Sequence, residues 1–158
     1  MTIPVQFIKA EKDRQLRKGK LKRNDVVLTT RGTIGNIGLY SENVPFDHIR
    51  INSGMLIFRP NKQALLPAYL FELFRSGIFK DQIKKQTTGA AQPQLPIKTL
   101  VNFLIPVPTN LDDQLTMVKK LRAFEPQTQR LESIYQQKLA ALDELKKSLL
   151  HQAFTGEL

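Results

Sequence analysis

Two histidines and one pair of adjacent aspartates are the side chains of this sequence best suited to acid–base or metal chemistry. His48 lies in a predicted turn and His151 near the end of the chain, so the two do not have the spacing of metal ligands. Asp112 and Asp113 open a predicted helix, where the helix dipole favours carboxylates without any catalytic role. The sequence has no cysteine, no local signature of a Ser-His-Asp or Cys-His centre and no Asn-Pro-Pro-Tyr or Asp-Pro-Pro-Tyr methyltransferase motif. We therefore expect a binding and assembly protein, not an enzyme, with no metal site and no cofactor.

Glycines 32, 35 and 38 suggest a phosphate-binding loop, which would need a GxGxxG or Gly-Lys-Ser/Thr pattern ahead of a helix. Neither pattern is present. The intervening residues, such as Ile34, Ile37 and Tyr40, favour strands. We predict two short strands or one bulged strand here, with the glycines permitting positive φ or a close backbone approach.

The basic run "RQLRKGKLKR" at residues 14–23 is a candidate surface for binding phosphates. A solvated basic loop explains the same composition, and both interpretations stay open. Residues 109–158 contain seven basic and seven acidic side chains, so the whole net charge of +10 lies in residues 1–108. Such a charge is typical of nucleic-acid-binding proteins. The two regions are therefore expected to have different roles.

The elements that position these residues follow from apolar patterns and turn signals. Strands are predicted to begin at Val26 and to cover Met55–Phe58, and a further strand at residues 99–108 is predicted to close with Pro106 and Pro108. A helical segment begins near Pro67 and breaks near Gly77. Its aromatic residues recur at helical spacing and are interpreted as core: Phe71, Phe74 and Phe79.

The C-terminal region is predicted to be helical. Thr109 or Asn110 caps a first helix over Leu111–Phe124, which is expected to stop near Pro126. A second helix then runs to about Ala153. Its length of about 40 Å exceeds the width of a domain of ~100 residues. Its apolar stripe either lies on the parent domain or, as the length favours, pairs with a partner helix. The stripe comprises Leu131, Tyr135, Leu139, Leu142, Leu145 and Leu149.

The compartment is predicted from what the sequence lacks. No apolar run approaches the ~20 residues that span a bilayer, and the first residues do not have the order of a secretory signal. The absence of cysteine is compatible with a reducing compartment. We expect a soluble, cytoplasmic protein.

Several segments together resemble the specificity subunits of type I restriction-modification systems. These are "GAAQPQLPIKTLVNFLIPVP" with its Gln92 to Leu95 turn, "DDQLTMVKKL", "LDELKKSLLHQAFTGEL" and the hairpin "LKRNDVVLTTRGTIGNIGLY". In that family a Gly-Asp usually precedes the hairpin strand, whereas this chain has Asn24-Asp25. The order of the motifs is specific, and the resemblance covers nearly all of the chain.

The resemblance implies a protein that recognises DNA, while a partner methylation subunit carries S-adenosylmethionine and performs the chemistry. Full members have two recognition domains, separated by two long helices that pair antiparallel and set the distance between half-sites. This chain has one set of helices and, on the same comparison, is expected to begin inside its recognition domain. The shared Ile-Pro-x-Pro run is interpreted as a stiff joint between the recognition domain and the long helix.

Taken together, the sequence predicts an α+β fold: a target-recognition domain at 1–108, N-terminally incomplete, and a helical region at 109–158 that forms an antiparallel coiled coil and docks the methyltransferase. The predicted partners are double-stranded DNA, the methylation subunit and, through it, the restriction subunit, and a second specificity chain or copy.

The complex would act at a bipartite site. Bases are expected to be recognised from the basic loops, with Gln92 and Gln94 as weaker candidates. An assembly or regulatory protein that does not recognise DNA is the alternative. The DNA-binding candidates are Arg14, Arg17, Lys18, Lys20, Lys22, Arg23, Arg31 and Arg50.

Overall fold

The computed structural model describes residues 7–89 and 93–156, which fall into two units, Met1–Leu115 and Thr116–Leu158. The chain order is α1 (Ala10–Gln15), β1 (Val26–Thr29), β2 (Ile37–Leu39), β3 (Met55–Phe58), α2 (Pro67–Arg75), α3 (Gly77–Gln86), a 3₁₀ helix (Ile97–Asn102) and α4 (Leu111–Thr155). This arrangement of a small sheet and helices with a long C-terminal helix confirms the α+β prediction.

The sheet of the first unit has three antiparallel strands within the described residues, in the order β2-β1-β3. Val26 of the central strand lies opposite Leu39 and Phe58, so both neighbours are held in a fixed register. Val26 and Leu28 are fully buried, as the two-residue period of a strand predicts when one face is covered. The two short strands or one bulged strand predicted for residues 33–40 are not observed, because a turn precedes a single short strand, Ile37–Leu39.

Helices α2 and α3 cover the buried face of the sheet. Pro67 is at the start of α2, and Ser76 separates the two helices one residue before the predicted break. Phe74 and Phe79 stack with ring centroids 4.0 Å apart, and Phe58 of β3 meets Phe74 edge-on at 4.8 Å. Phe71 packs against the same cluster. The three aromatic residues predicted as core are confirmed.

The strand predicted at residues 99–108 is wrong. Ile97–Asn102 forms a 3₁₀ helix, and the residues after it are extended without pairing to another strand in the described part of the chain. Pro106 and Pro108 have no N–H to give to a ladder, which disfavours pairing over this segment. Side chains from neighbouring helices take the place of a partner strand, as described below.

The helix break predicted near Pro126 is also wrong, because α4 continues through this residue from Leu111 to Thr155. An internal proline removes one hydrogen bond and displaces the carbonyl four residues before it, here that of Arg122. Both residues are exposed, so water can solvate that carbonyl. The Thr128 hydroxyl also donates to the Glu125 carbonyl at 2.8 Å. A local cost of ~3 kcal/mol is thus tolerated within a helix of 45 residues.

The predicted N-cap of this helix is confirmed. Asn110 Oδ1 accepts a hydrogen bond from the Asp112 backbone N–H at 2.9 Å, and the Asn110 carbonyl accepts one from the Gln114 N–H. An Asn in this position satisfies a backbone donor that has no partner inside the helix. Asp112 and Asp113 lie in the first turn, where the dipole favours them.

Candidate nucleic-acid interface

The basic run is held against the segment before β3. The Leu21 N–H donates to the Ile49 carbonyl and the Ile51 N–H to the Gly19 carbonyl, each at 2.9 Å, and Lys20 pairs with Arg50 as an isolated antiparallel bridge. Gly19 has a φ of +88°, and a Cβ there would lie 3.2 Å from the Ile51 carbonyl oxygen. Glycine is therefore required at the point where this loop approaches its neighbour.

Arg50 holds this loop from within. Its guanidinium donates to the Asp13 carboxylate and backbone carbonyl and, at 2.8 Å, to the Lys18 carbonyl. The side chain is 13% exposed. The hydrogen bond from Arg50 lowers the pKa of Asp13 below its ordinary value. Lys20 approaches the same carboxylate at 3.6 Å. These contacts give Arg50 a role in loop structure, and its contact with DNA stays a prediction.

Arg23 also has its donors satisfied within the chain. Its Nη1 donates to the carbonyls of Ser41 and Val44 at 2.7 and 2.9 Å, and its Nη2 donates to Asp47 Oδ1 at 2.8 Å. The guanidinium lies 4.3 Å from the centre of the Tyr40 ring. Arg23 thus orders the turn after β2, and its contact with DNA stays a prediction.

Asn24 and Asp25 form a sharp entry into β1. Asn24 has a φ of +76°, the left-handed conformation that glycine adopts most easily and Asn tolerates. The following Asp25 is 1% exposed and accepts hydrogen bonds from the Lys22 N–H and from Arg59. This geometry explains why Asn can stand where the resembling family usually has glycine.

Five of the eight predicted DNA-binding side chains are exposed and form no ion pair with any residue in 7–89 or 93–156. They lie in two groups. Four precede the sheet, whereas Arg31 follows the C-terminal end of β1, a strand of four residues that is about 13 Å long. The five are Arg14, Arg17, Lys18, Lys22 and Arg31.

The C-terminal end of β1 gathers polar residues from three loops. The Thr30 and Arg31 N–H groups both donate to the Gly54 carbonyl, and the Leu95 N–H donates to the Thr30 carbonyl at 2.9 Å. Arg31 and Gln94 are partners in an isolated antiparallel bridge, and both are exposed. The structure therefore brings one primary candidate, Arg31, beside the weaker candidate Gln94. Gln92 lies outside the described residues.

Three side chains bond the segment 104–108, which contains the Ile-Pro-Val-Pro run. Gln82 of α3 both accepts from the Leu104 N–H and donates to its carbonyl, each at 2.9 Å. The Tyr69 hydroxyl of α2 donates to the Pro106 carbonyl at 2.9 Å, and Gln114 Nε2 donates to the Pro108 carbonyl at 2.8 Å. Burial raises the pKa of Tyr69, which keeps its phenol a donor. Every second residue of the segment is thus anchored, although sequence analysis identified none of these partners.

Gln114, in the first turn of α4, is a fully buried polar residue. Its amide oxygen accepts from the Leu66 N–H at 2.9 Å, and its amide nitrogen donates to the carbonyls of Ala64 and Pro108. One side chain in the first turn of α4 thereby satisfies three backbone groups from two separate loops. The signal in the sequence was a polar residue at a core-facing position in the first turn of α4.

Groups suited to catalysis or metal binding are dispersed. No cluster of three or more His, Cys, Asp or Glu side chains with ligand geometry occurs in the described part of the chain. His48 and His151 are exposed. Asp112 belongs to the helix cap, as expected. Within residues 7–89 and 93–156, none of the helices contains the extended apolar stretch that spanning a bilayer requires.

The apolar stripe of α4 is exposed within the second unit. Each of its six predicted coiled-coil residues has between 45% and 65% of its surface accessible in the single chain. A repeated row of large apolar side chains at helical spacing gains free energy when a partner covers it. The six are Leu131, Tyr135, Leu139, Leu142, Leu145 and Leu149.

Comparison with known proteins yields one family. A family model described as the type I restriction modification DNA specificity domain matches residues 9–141. The Escherichia coli type I restriction enzyme EcoBI specificity subunit is 26% identical over 154 residues, covering 98% of this chain and 32% of that protein. The Methanocaldococcus jannaschii type I restriction enzyme MjaVIII specificity subunit is 28% identical over 142 residues, covering 87% and 32%. The chain thus spans about a third of the length of these relatives.

Solved structures show the same fold. The HsdS subunit from Thermoanaerobacter tengcongensis matches 71% of this chain with a TM-score of 0.57 at 23% identity, and the match covers 28% of that subunit. The type I restriction-modification S subunit from M. genitalium matches 73% of this chain, and 29% of its own, with a TM-score of 0.55 at 16% identity. At these identities the likeness concerns the fold alone.

Proposed function

The chain belongs to the family of type I restriction-modification DNA specificity domains, and from this premise we propose that it recognises double-stranded DNA on behalf of a methylation and restriction complex. It would act as a half-subunit or fragment that contributes to a bipartite target. The chain itself performs no chemistry in this proposal, in keeping with the non-catalytic nature of specificity subunits.

The observation that carries the proposal is the group of exposed cationic side chains on a structured frame. Their charges are not neutralised by ion pairs within residues 7–89 and 93–156. Lys and Arg that are free to meet phosphates release counterions and so supply affinity that does not depend on sequence. The Asp13–Arg50 pair joins the helix that carries Arg14 to the segment before β3, and Arg50 also bonds the loop that carries Arg17 and Lys18.

We assign base recognition to the C-terminal end of β1. Arg31 and Gln94 are adjacent there. In the major groove a guanidinium donates to guanine O6 and N7, whereas an amide donates to adenine N7 and accepts from its N6 amino group. Arg14, Arg17, Lys18 and Lys22 would contact the backbone. Lys20, Arg23 and Arg50 make internal contacts that shape the loops, so a smaller direct contribution is expected from them.

The remaining partners are assigned through the resemblance and the exposed helix face. A methylation subunit would bring S-adenosylmethionine and, through its own contacts, the restriction subunit. The α4 stripe would pair antiparallel with a second copy of this chain or with another specificity chain, in the cytoplasm. Two identical copies would give a palindromic bipartite target, because a two-fold axis relates the two half-sites.

The first experiment co-expresses the chain with a methylation subunit in a host lacking adenine methylation, and maps methylated adenines across the genome. A split palindromic motif is the expected result. Replacement of Arg31 by Ala should then change or relax one position of the motif, since loss of a bidentate base contact costs about 1–3 kcal/mol of discrimination. Lys62→Ala, an exposed lysine in the loop before α2, is the matched control and should leave the motif intact.

The alternative function is assembly without DNA recognition, and the exposed stripe of α4 favours it. In that case the chain would pair with specificity or methylation subunits and alter their activity. Absence of methylation in an assembled complex, together with weak binding of duplex DNA that shows no sequence preference, would favour this alternative over recognition.

A further inference from the structure

A shallow groove of about 520 Å³ lies between α3 and the turn that connects β1 to β2. Lys80 and Lys84 of α3 and Gly35 and Asn36 of the turn are among the residues that line it. The apolar part of its lining consists of Ile34 and Ile83. No acidic side chain lines the groove in the described part of the chain. The groove therefore combines an apolar surface with two positive charges.

The turn is held in place by its own hydrogen bonds. The Gly35 N–H donates to the Thr29 carbonyl at 3.0 Å, and the Asn36 N–H donates to Thr29 Oγ1 at 3.0 Å. Gly35 has a φ of +86°, and its Cβ position would be 3.7 Å from Ile83 Cδ1. This places the turn directly against Ile83, the buried residue between the two lysines in sequence, so the shape of the groove is fixed by packing.

The two lysines are not explained by the rest of the molecule. They are one helical turn apart, about 6 Å along the axis, and neither forms an ion pair with a residue in 7–89 or 93–156. Asp81, the acidic residue of α3, is likewise unpaired within those ranges. Lys84 lies in the last turn, where the helix dipole favours a cation, but Lys80 is the fourth residue of α3, where the dipole disfavours one.

We propose that this groove binds the sugar-phosphate backbone of one strand of the target DNA, with Lys80 and Lys84 contacting neighbouring phosphates. The proposal rests on the proposed function and deepens it. Phosphates of one strand follow each other at about 3.4 Å along the duplex axis, within the reach of two flexible ammonium groups. The apolar surface suits a deoxyribose. The groove adjoins the turn that follows Arg31, so one strand would meet a backbone contact close to the base-recognising residues.

The test measures binding of duplex DNA to the full chain, assembled with its methylation subunit, between 50 and 200 mM salt. Lys80→Gln with Lys84→Gln should reduce the salt slope by about 1.8, at ~0.9 per phosphate, so that wild type loses about tenfold more affinity than the variant over this range. The sequence preference should not change. Lys62→Gln with Lys98→Gln removes the same charge from exposed positions outside the groove and should leave the slope near wild type.

The outcomes separate this proposal from the function on which it rests. An unchanged slope for the groove variant, while Arg17→Gln with Lys18→Gln lowers it, would refute the groove and leave DNA recognition standing. Equal reductions for the groove and control variants would show a general charge effect and also refute it. Wild type that fails to bind duplex DNA even at 50 mM salt would refute both. If the groove binds an acidic protein instead, the groove variant should lower the mass of the assembled complex and keep the wild-type salt slope. That result would also refute the phosphate contact.

Discussion

Arg59 donates from Nε to Oδ1 of Asp25 and from Nη2 to Oδ2, in both cases at 2.7 Å. Asp25 immediately precedes β1 and Arg59 immediately follows β3, so the pair joins the adjacent ends of two hydrogen-bonded strands. The carboxylate is 1% exposed, and the Lys22 N–H also donates to it at 2.7 Å. A planar guanidinium that meets both oxygens fixes the geometry more strictly than a lysine would.

This pair predicts acid sensitivity. Burial raises the pKa of Asp25, but the hydrogen bonds from Arg59 and Lys22 outweigh it and hold the pKa below its ordinary value of 3.8. The unfolded state therefore binds more protons, and the stability from this group is present above about pH 4 and lost as the pH falls through the lowered pKa. Asp25→Asn should lower the free energy of unfolding by about 1–3 kcal/mol at pH 7, and the gap to wild type should narrow below pH 4.

Urea unfolding at several pH values measures both effects. Asp81→Asn, an exposed acidic residue without an ion pair in the described part of the chain, is the control and should follow wild type. Some acid sensitivity remains in Asp25→Asn, because the Arg50 hydrogen bond also lowers the pKa of Asp13. A gap that stays constant down to pH 2 would contradict the assignment.

Asn24 predicts a backbone effect. Because its φ is +76°, Asn24→Gly should be neutral or slightly stabilising, whereas Asn24→Ala should lower the free energy of unfolding by about 1 kcal/mol. Asn43→Ala, in an exposed turn with negative φ, is the matched control. The denaturant midpoints of the three variants and wild type give their relative stabilities, provided that their m-values are equal. Equal stability of the Gly and Ala variants would show that the left-handed conformation has no energetic weight here.

Gln114 predicts the cost of a buried amide. Gln114→Leu has a similar volume but leaves the Leu66 N–H and the carbonyls of Ala64 and Pro108 without this partner. The free energy of unfolding should fall by about 2–3 kcal/mol, since each buried unsatisfied group costs ~1–3 kcal/mol. Gln127→Leu, at an exposed position of the same helix, should change it by less than ~0.5 kcal/mol. Thermal unfolding of wild type and both variants measures these changes. A Gln114→Leu variant that melts at the same temperature as Gln127→Leu would contradict the role given to Gln114.

The exposed stripe of α4 predicts association through this helix. Leu142→Asn with Leu145→Asn should convert an associated wild type to single chains, because burying each leucine is worth about 1.5–3 kcal/mol. Gln137→Asn with Glu144→Asn introduces the same residues on the opposite face and should keep the wild-type mass. Light scattering across a concentration series gives the mass. A wild type that stays a single chain at high concentration, alone and with its methylation subunit, would refute pairing through the stripe.

The resemblance to specificity subunits and the α+β composition followed from the sequence itself, because ordered motifs and hydrophobic periodicity are local properties of the chain. Phe74 and Phe79 belong to an apolar stripe at helical spacing and were identifiable as core for that reason. The balance of charge between residues 1–108 and 109–158 required counting alone. The Asn110 cap follows the same local chemistry.

The tertiary structure decided which polar residues face inwards. Eight cations were equivalent in the sequence, yet Arg23 and Arg50 donate to backbone carbonyls far along the chain, while Arg31 is exposed beside Gln94. Similarly, an extended segment with two prolines looked like a strand, but side chains from three helices bond it. Hydrogen bonds between residues 18 to 50 positions apart leave no periodic trace in a sequence. The stripe of α4 is apolar because of its helical periodicity, which the sequence shows directly. The partner that covers this face depends on a second surface, which the sequence of this helix does not contain.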